Sequence, residues 1–181
     1  NPGTLSGEVA WTLRINAGAA TSLFQPRSII VTPGGLMLVS RQNGGIVGYK
    51  SATTIADDTP ADRVVEGDNT LLEAPIPFAY DAPHDRLFAG NASAEYAILV
   101  FEGVSAAAFD GEVTPTRRFG PSDRVPYDTS GTIEMTIDAM CLDAEGNLYV
   151  SDTSGTNTNQ SRVLVFDSPD TADGSTEPAR T

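Results

Sequence analysis

What this sequence lacks narrows its chemistry before any motif is read. Cys141 is the only cysteine in 181 residues, which excludes an intrachain disulfide framework and a cysteine metal cluster. It sits in an apolar run, 135–142, where a buried, inert thiol is expected. His84 is the only histidine, so a multi-histidine zinc site is excluded. With no nucleophile-elbow pattern in the chain, a Ser-His-Asp triad is not supported either, and His84 reads as a turn residue within Asp81-Ala-Pro-His-Asp85. Lys50 is the only lysine beside ten arginines, and the net charge is −13. Such a chain repels nucleic acid and anionic lipid, whose binding requires basic side chains that displace counterions. No run is long and apolar enough to cross a membrane, and none has a signal-peptide pattern. The first residue is Asn1, which fits a processed mature protein, a fragment or part of a longer chain equally well. The acidity reads as solubility or adaptation to a salty or extracellular setting, so an extracellular, cell-surface or periplasmic location is expected.

Long helices are also missing. Twelve prolines and seventeen glycines are spread along the whole chain, which favours many short elements joined by turns, and 40% hydrophobic content is that of a globular protein. The expected fold class is all-β. What the chain does contain is a repeat. Leu36-Met-Leu-Val-Ser40, Arg86-Leu-Phe-Ala-Gly90 and Asn147-Leu-Tyr-Val-Ser151 align, and each is followed by a second apolar run: Ile46-Val-Gly-Tyr-Lys50, Ile98-Leu-Val-Phe-Glu102 and Val163-Leu-Val-Phe-Asp167. Upstream of each pair lies another β-type run ending in a turn. The turn in 142–147 is the clearest, because Gly146 and Asn147 tolerate positive φ and Asp143 can bond the backbone ahead of it. Downstream come more polar runs, at 60–65, 115–119 and 177–181. The connections into the last two of these carry Asp110-Gly111 and Asp173-Gly174, whereas the first has Asp57-Asp58 and no glycine. Two longer polar insertions, at 120–134 and 153–161, read as surface loops. Repeated four-stranded units whose middle strands are apolar on both faces are the pattern of a β-propeller. The blades fall at 16–65, 66–119 and 120–181 of a single segment, with a spare edge strand at 9–15.

The third copy resembles a known family. Leu142-Asp-Ala-Glu-Gly-Asn-Leu-Tyr-Val-Ser-Asp152, followed by Arg162-Val-Leu-Val-Phe-Asp167, is similar to an NHL-type propeller repeat. The second copy departs from it with Gly90-Asn91 in place of Ser-Asp, and the first with Ser40-Arg41. The resemblance implies a ring of about six blades, of which this chain supplies about three, and a role mostly in binding or scaffolding. The open edges then need covering: by further sequence, by a second copy in a head-to-tail pair in which the Trp11 strand completes a partner's blade, or not at all if the blades form an open arc. Trp11, Arg14, Arg118 and Arg180 are the candidate interface residues, the arginines pairing with carboxylates across it. Trp11, Tyr80, Phe88, Tyr149 and Phe166 are assigned to packing between blades.

More distant relatives, the gluconolactonases and other lactone hydrolases, hold a divalent metal in the central channel through Glu, Asn and Asp side chains. That resemblance makes Asn91, Asp138 and Asp152 weak candidate ligands for calcium, a hard cation that takes oxygen donors. A structural role for these residues is the preferred reading, with Asp152 at the repeat's own turn position. The run 167–174 places its aspartates three apart, where a helix-flanked calcium loop needs them two apart, so it reads as a connecting loop. The functional expectation is a non-catalytic scaffold or interaction module with a protein partner or second copy and no cofactor. The alternative is a lactonase-like, metal-dependent hydrolase completed by other blades.

Overall fold

A computed structural model of the chain describes residues 13–73, 77–91, 98–120, 136–153 and 161–180. The fold is all-β and of propeller type, as the repeat predicts. The first sheet runs in the order β1 (Pro26–Val31), β2 (Met37–Arg41), β3 (Ile46–Tyr49) and β4 (Arg63–Val65), every pair antiparallel. The second repeats it with β5 (Phe78–Asp81), β6 (Arg86–Gly90), β7 (Ile98–Glu102) and β8 (Arg117–Gly120). The third holds β9 (Thr136–Leu142), β10 (Leu148–Thr153) and β11 (Arg162–Phe166). A single 3-10 turn, Asp68–Thr70, is the only helical element among the described residues.

Chemistry at the hairpins sets these registers. Asp143 Oδ1 accepts from Glu145 N (3.0 Å) and Asn147 N (2.8 Å), and Gly146 turns the chain at φ 87°. Asp143 Oδ2 also accepts from Asn147 Nδ2 and the Tyr149 hydroxyl, and these bonds, the Asn147 amide foremost, hold the carboxyl below its ordinary pKa. In the second hairpin Asp85 does related work from a positive φ, accepting from Tyr80 Oη (2.8 Å) and from Ser105 N and Oγ.

The sheets stack face to face, with their first strands side by side: β1 neighbours β5, and β5 neighbours β9. Leu38, Ile46 and Val65 of the first sheet pack on Phe78, Leu87, Leu99 and Phe101 of the second. Ala79, Phe88, Val100 and Phe119 of the second pack in turn on Ile137, Leu148, Val150, Leu164 and Phe166 of the third, and the Phe119 and Phe166 rings meet edge to face at 5.2 Å. Successive side chains of one strand thus face opposite neighbours, which is why β2, β3 and β6 are buried throughout. Each fully buried Leu, Ile or Phe contributes about 1.5–3 kcal/mol. Most of the fold's hydrophobic stabilisation therefore lies between sheets.

Three expectations need correction. In the fourth run of the last repeat, 177–181, the described residues 177–180 form no strand; residues 179–180 meet β11 through an isolated bridge, Val165↔Arg180. The loop before it instead forms β12 (Gly174–Ser175), which pairs in parallel with β8 and so belongs to the second sheet. Cys141 is exposed rather than buried. Its neighbours Met140 and Leu142 pack into the core shared with the second sheet, and alternation turns the thiol to the other side, where no described sheet lies. In the expected edge strand, residues 13–15 are irregular, while 9–12, including Trp11, lie outside the described residues, as do most of both long insertions.

Candidate functional site

The residue that follows each second-strand repeat is polar and buried: Arg41, Asn91 and Asp152, at 6%, 4% and 3% exposure. A buried polar group calls for partners, and both Asn91 and Arg41 reach the segment that leads into their own sheet, Arg41 also turning to Glu66 just past β4. Asn91 Nδ2 donates to Leu71 O (2.9 Å), and its Oδ1 accepts from Glu73 N (2.7 Å). Arg41 Nη1 donates to Ser22 O (3.4 Å), and its Nη2 pairs with Glu66. Ser22 and Leu71 are themselves equivalent. Both follow a Gly-x-x-Thr turn, at 18–21 and 67–70, both have positive φ, and the buried threonines Thr21 and Thr70 accept from Leu23 N and Leu72 N. Asp152 accepts from Arg162 Nε at 3.0 Å. Two of the three candidate metal ligands therefore stand at one station on different sheets, where Asn91 ties down the incoming chain.

Asp138, the third candidate, is the extra residue of a bulge in β9, since Ser151 faces Ala139 and Asp152 faces Ile137. It is exposed on the innermost strand, and the first sheet has a bulge at the same place. Ser151 Oγ accepts from Ala139 N, and Ser40 Oγ from Ser28 N, both at 2.9 Å. The second sheet departs here for a physical reason. Its residue facing this station is Pro77, which has no N–H to offer, and a Cβ at position 90 would sit 2.6 Å from the proline ring. Gly90 and Pro77 are a matched pair, and the odd residue in the repeat is explained. Among the described residues no group of three or more His, Cys, Asp or Glu side chains is placed to hold a metal ion. His84 Nδ1 lies 2.7 Å from Asp81 Oδ2 in the turn expected for it.

A second set of repeated contacts joins each sheet to the next. Asp62 N, Thr116 N and Ala179 N donate in turn to Gly48 O, Val100 O and Val165 O (2.8–2.9 Å), which makes Arg63, Arg117 and Arg180 equivalent. Arg63 donates to Val104 O (2.8 Å) and Ser105 O (3.0 Å) in the loop of the next sheet, and Arg117 donates to Pro169 O (3.0 Å) and Ala172 O (3.2 Å) in the sheet after that. The Asp-Gly turns complete this clasp. Asp110 Oδ1 accepts from Val64 N (2.8 Å), and Gly111 bridges to Val65 just as Gly174 pairs with Phe119. The sequence singled out the turns but not Arg63 or Arg117. The spacing Pro-x-x-Arg or Pro-x-Arg at 60–63, 115–117 and 178–180 was the available signal.

The proposed interface residues fall at different points of this scheme. Arg180, the third clasp arginine, turns to its own sheet and pairs with Asp167 at 2.7 Å. Arg118 is half-buried in β8, facing Leu99 across the ladder. Arg14 is bidentate to Asp57, 2.7 Å for both bonds, and this hydrogen bond holds the aspartate below its ordinary pKa.

Both end faces of the stack are open among the described residues. On the first sheet Ile29 and Val31 are 60% and 53% exposed; their counterparts, Phe78 and Tyr80 in the second sheet and Met140 and Leu142 in the third, pack against the preceding sheet. Beside them a cleft of ≈ 440 Å³ is lined by Leu13, Ile15, Leu23, Ile29, Met37 and Val39, among others. On the third sheet Val163 is 52% exposed where its counterparts Ile46 and Ile98 are buried.

No protein-family model matches the chain, and no curated protein matches it in sequence. Among solved structures it is similar to the hydrazine synthase of Kuenenia stuttgartiensis, with a TM-score of 0.55 and 14% identity over 91% of this chain. The β-propeller domain of Myceliophteria thermophila Cps50 (Swd1) aligns with a TM-score of 0.44 and 9% identity over 80% of this chain. The chain spans 37% and 40% of the lengths of these two structures. The likeness concerns fold alone.

Proposed function

We propose that this chain is a segment of an NHL-like β-propeller that acts as a non-catalytic scaffold or interaction module, working outside the cytoplasm through the open faces of its first and third sheets. One observation carries the reading: Ile29 and Val31 are exposed at positions whose counterparts in both later sheets are covered by a preceding sheet. An apolar sheet face of that kind is an interaction surface. The partner is a protein, since a net charge of −13 disfavours nucleic acid. The buried station supports the non-catalytic half, because Asn91 engages backbone groups of residues 71 and 73 and Asp152 engages Arg162. Assaying the purified chain on a panel of lactones with and without calcium tests this, and no turnover is expected. Calcium-dependent hydrolysis that Asp138→Asn abolishes would refute it.

A further inference from the structure

Between the second and third sheets, where β5 turns into β6 and β9 into β10, lies a cleft of ≈ 500 Å³, walled by residues of the stretches 80–86, 142–146 and 167–170. That is room for a small ligand. The repeat breaks at the edge of this cleft. Leu36 and Asn147, the counterparts of Arg86, are a core residue and a turn residue bonded to Asp143 Oδ2. Arg86 is only 8% exposed, and its Nε and Nη1 are buried with no hydrogen-bond partner among the described residues. The neighbouring carboxylates balance its charge without accepting from it: Glu102 Oε1 lies 3.3 Å from Nε, and Asp81 Oδ2 lies 3.6 Å from Nη1. Both oxygens are engaged elsewhere, Glu102 Oε1 by Arg117 Nη2 at 3.3 Å and Asp81 Oδ2 by His84 Nδ1 at 2.7 Å. Buried donors without acceptors are costly. Arg86 lines the cleft, so an acceptor bound there can take up the unused donors.

The rest of the lining decides what that acceptor is. Asp81, Asp143, Glu145, Asp167 and Asp170 put five carboxylates around one guanidinium. An anionic ligand is therefore repelled. A divalent cation does not fit either, since no three acidic side chains among the described residues are placed to hold one, and a cation leaves the donors of Arg86 unused. A hydroxyl meets both demands, because it accepts from a guanidinium and donates to a carboxylate at once. Tyr80, Pro83, Leu142 and Pro169 add apolar surface between the polar groups. Hydroxyls spaced around a ring whose faces are C–H fit that alternation. We infer that the cleft binds a neutral sugar, Arg86 donating to one ring hydroxyl while Asp81 Oδ1 and Asp167 Oδ2 accept from its neighbours. These are the carboxylate oxygens that His84 and Arg180, each 2.7 Å from its aspartate, do not occupy. The site is additional to the docking role of the open sheet faces and does not rest on it.

Titrating the methyl glycosides of glucose, galactose, mannose, xylose and N-acetylglucosamine into the isotope-labelled chain, with amide shifts followed by NMR, tests this. At least one glycoside is expected to bind in the millimolar range, its shift changes centred on residues 80–86, 142–146 and 167–170. Arg86→Leu, which matches Leu36 of the first sheet, is expected to weaken that binding about tenfold or more. Its melting midpoint is expected to stay level or rise, because two unsatisfied donors go while Glu102 keeps Arg117 and Asp81 keeps His84. Asp167→Ala, at an exposed position, is expected to weaken the same glycoside and carries the test should Arg86→Leu not fold. Sugar binding that survives Arg86→Leu, with a lowered midpoint, makes the arginine structural and overturns the inference. Glycine, lysine and calcium chloride are titrated alongside. Arg86-dependent binding of one of these and of no glycoside overturns the sugar in favour of a zwitterion or a cation, and a panel in which nothing binds overturns the site itself.

Discussion

Arg63, Arg117 and Arg180 share one register position but not one set of neighbours, so the same substitution at each isolates what the clasp contributes. Methionine keeps the aliphatic stem and removes the guanidinium. At positions 63 and 117 this deletes two hydrogen bonds to carbonyls of the following sheet, and at 117 also a bond of 3.3 Å to the half-exposed Glu102 of its own sheet, which adds little. A bond from a charged donor is worth about 1.5 kcal/mol or more, so Arg63→Met and Arg117→Met should each cost about 3 kcal/mol. For a chain of this size that lowers the melting midpoint by about 6–12 °C. Among the described residues the Arg180 guanidinium pairs with Asp167, the two side chains being 59% and 51% exposed. An exposed pair contributes about 0–1 kcal/mol, so Arg180→Met should move the midpoint by no more than about 4 °C. Urea titrations with a constant slope would confirm that stability alone has changed. Equal losses at all three positions would refute the clasp, because they would assign the effect to the strand and not to the neighbouring sheet.

The matched pair at Pro77 and Gly90 predicts non-additivity: Gly90→Ser should cost about 1–3 kcal/mol by overpacking, and Pro77→Ala should recover most of it by supplying an N–H for the new hydroxyl; additive losses in a double-mutant cycle would disprove the pairing. Asn91→Ala leaves Leu71 O and Glu73 N without their side-chain partner and should cost about 2–3 kcal/mol in a denaturant titration; a loss under about 0.5 kcal/mol would remove Asn91 from the station. Tyr80 is pushed up to about 12, first by burial and then by its bond to Asp85. The folded state therefore holds this proton more tightly than the unfolded one. Its contribution is complete below pH 10 and is lost as pH rises through 10 to 12. Tyr80→Phe should remove that part of the alkaline decline, and identical stability profiles above pH 10 for both proteins would count against it.

The sheet order was legible because β-strands advertise both their period and their burial. The second and third strands are apolar on both faces, and that pattern recurs with its turns three times. Facing direction was legible only in part. Cys141 lies in an apolar run, yet burial of a residue in a β-strand depends on whether a neighbour covers its own side, and among the described residues this run has a neighbour on one side alone. The pairing of Gly174–Ser175 with β8 was out of reach for another reason. Two residues carry no period, and the sheet they join precedes them by more than fifty positions. The clasp arginines escaped because their partners are main-chain carbonyls, which every residue owns and no motif records.

The station at Arg41, Asn91 and Asp152 shows why residue type misleads where topology decides. Read as chemistry, an asparagine and an aspartate at matching positions of adjacent blades suggest oxygen ligands converging on a cation. Their counterpart in the first sheet is an arginine, which no cation site would tolerate at an equivalent ligand position. What Arg41 and Asn91 share is a length and polarity sufficient to reach the backbone at 22 or 71, where the chain takes a positive φ before entering the sheet. In the first two sheets the requirement is a donor at a fixed depth, which two chemically unlike side chains meet, whereas Asp152 in the third accepts from Arg162.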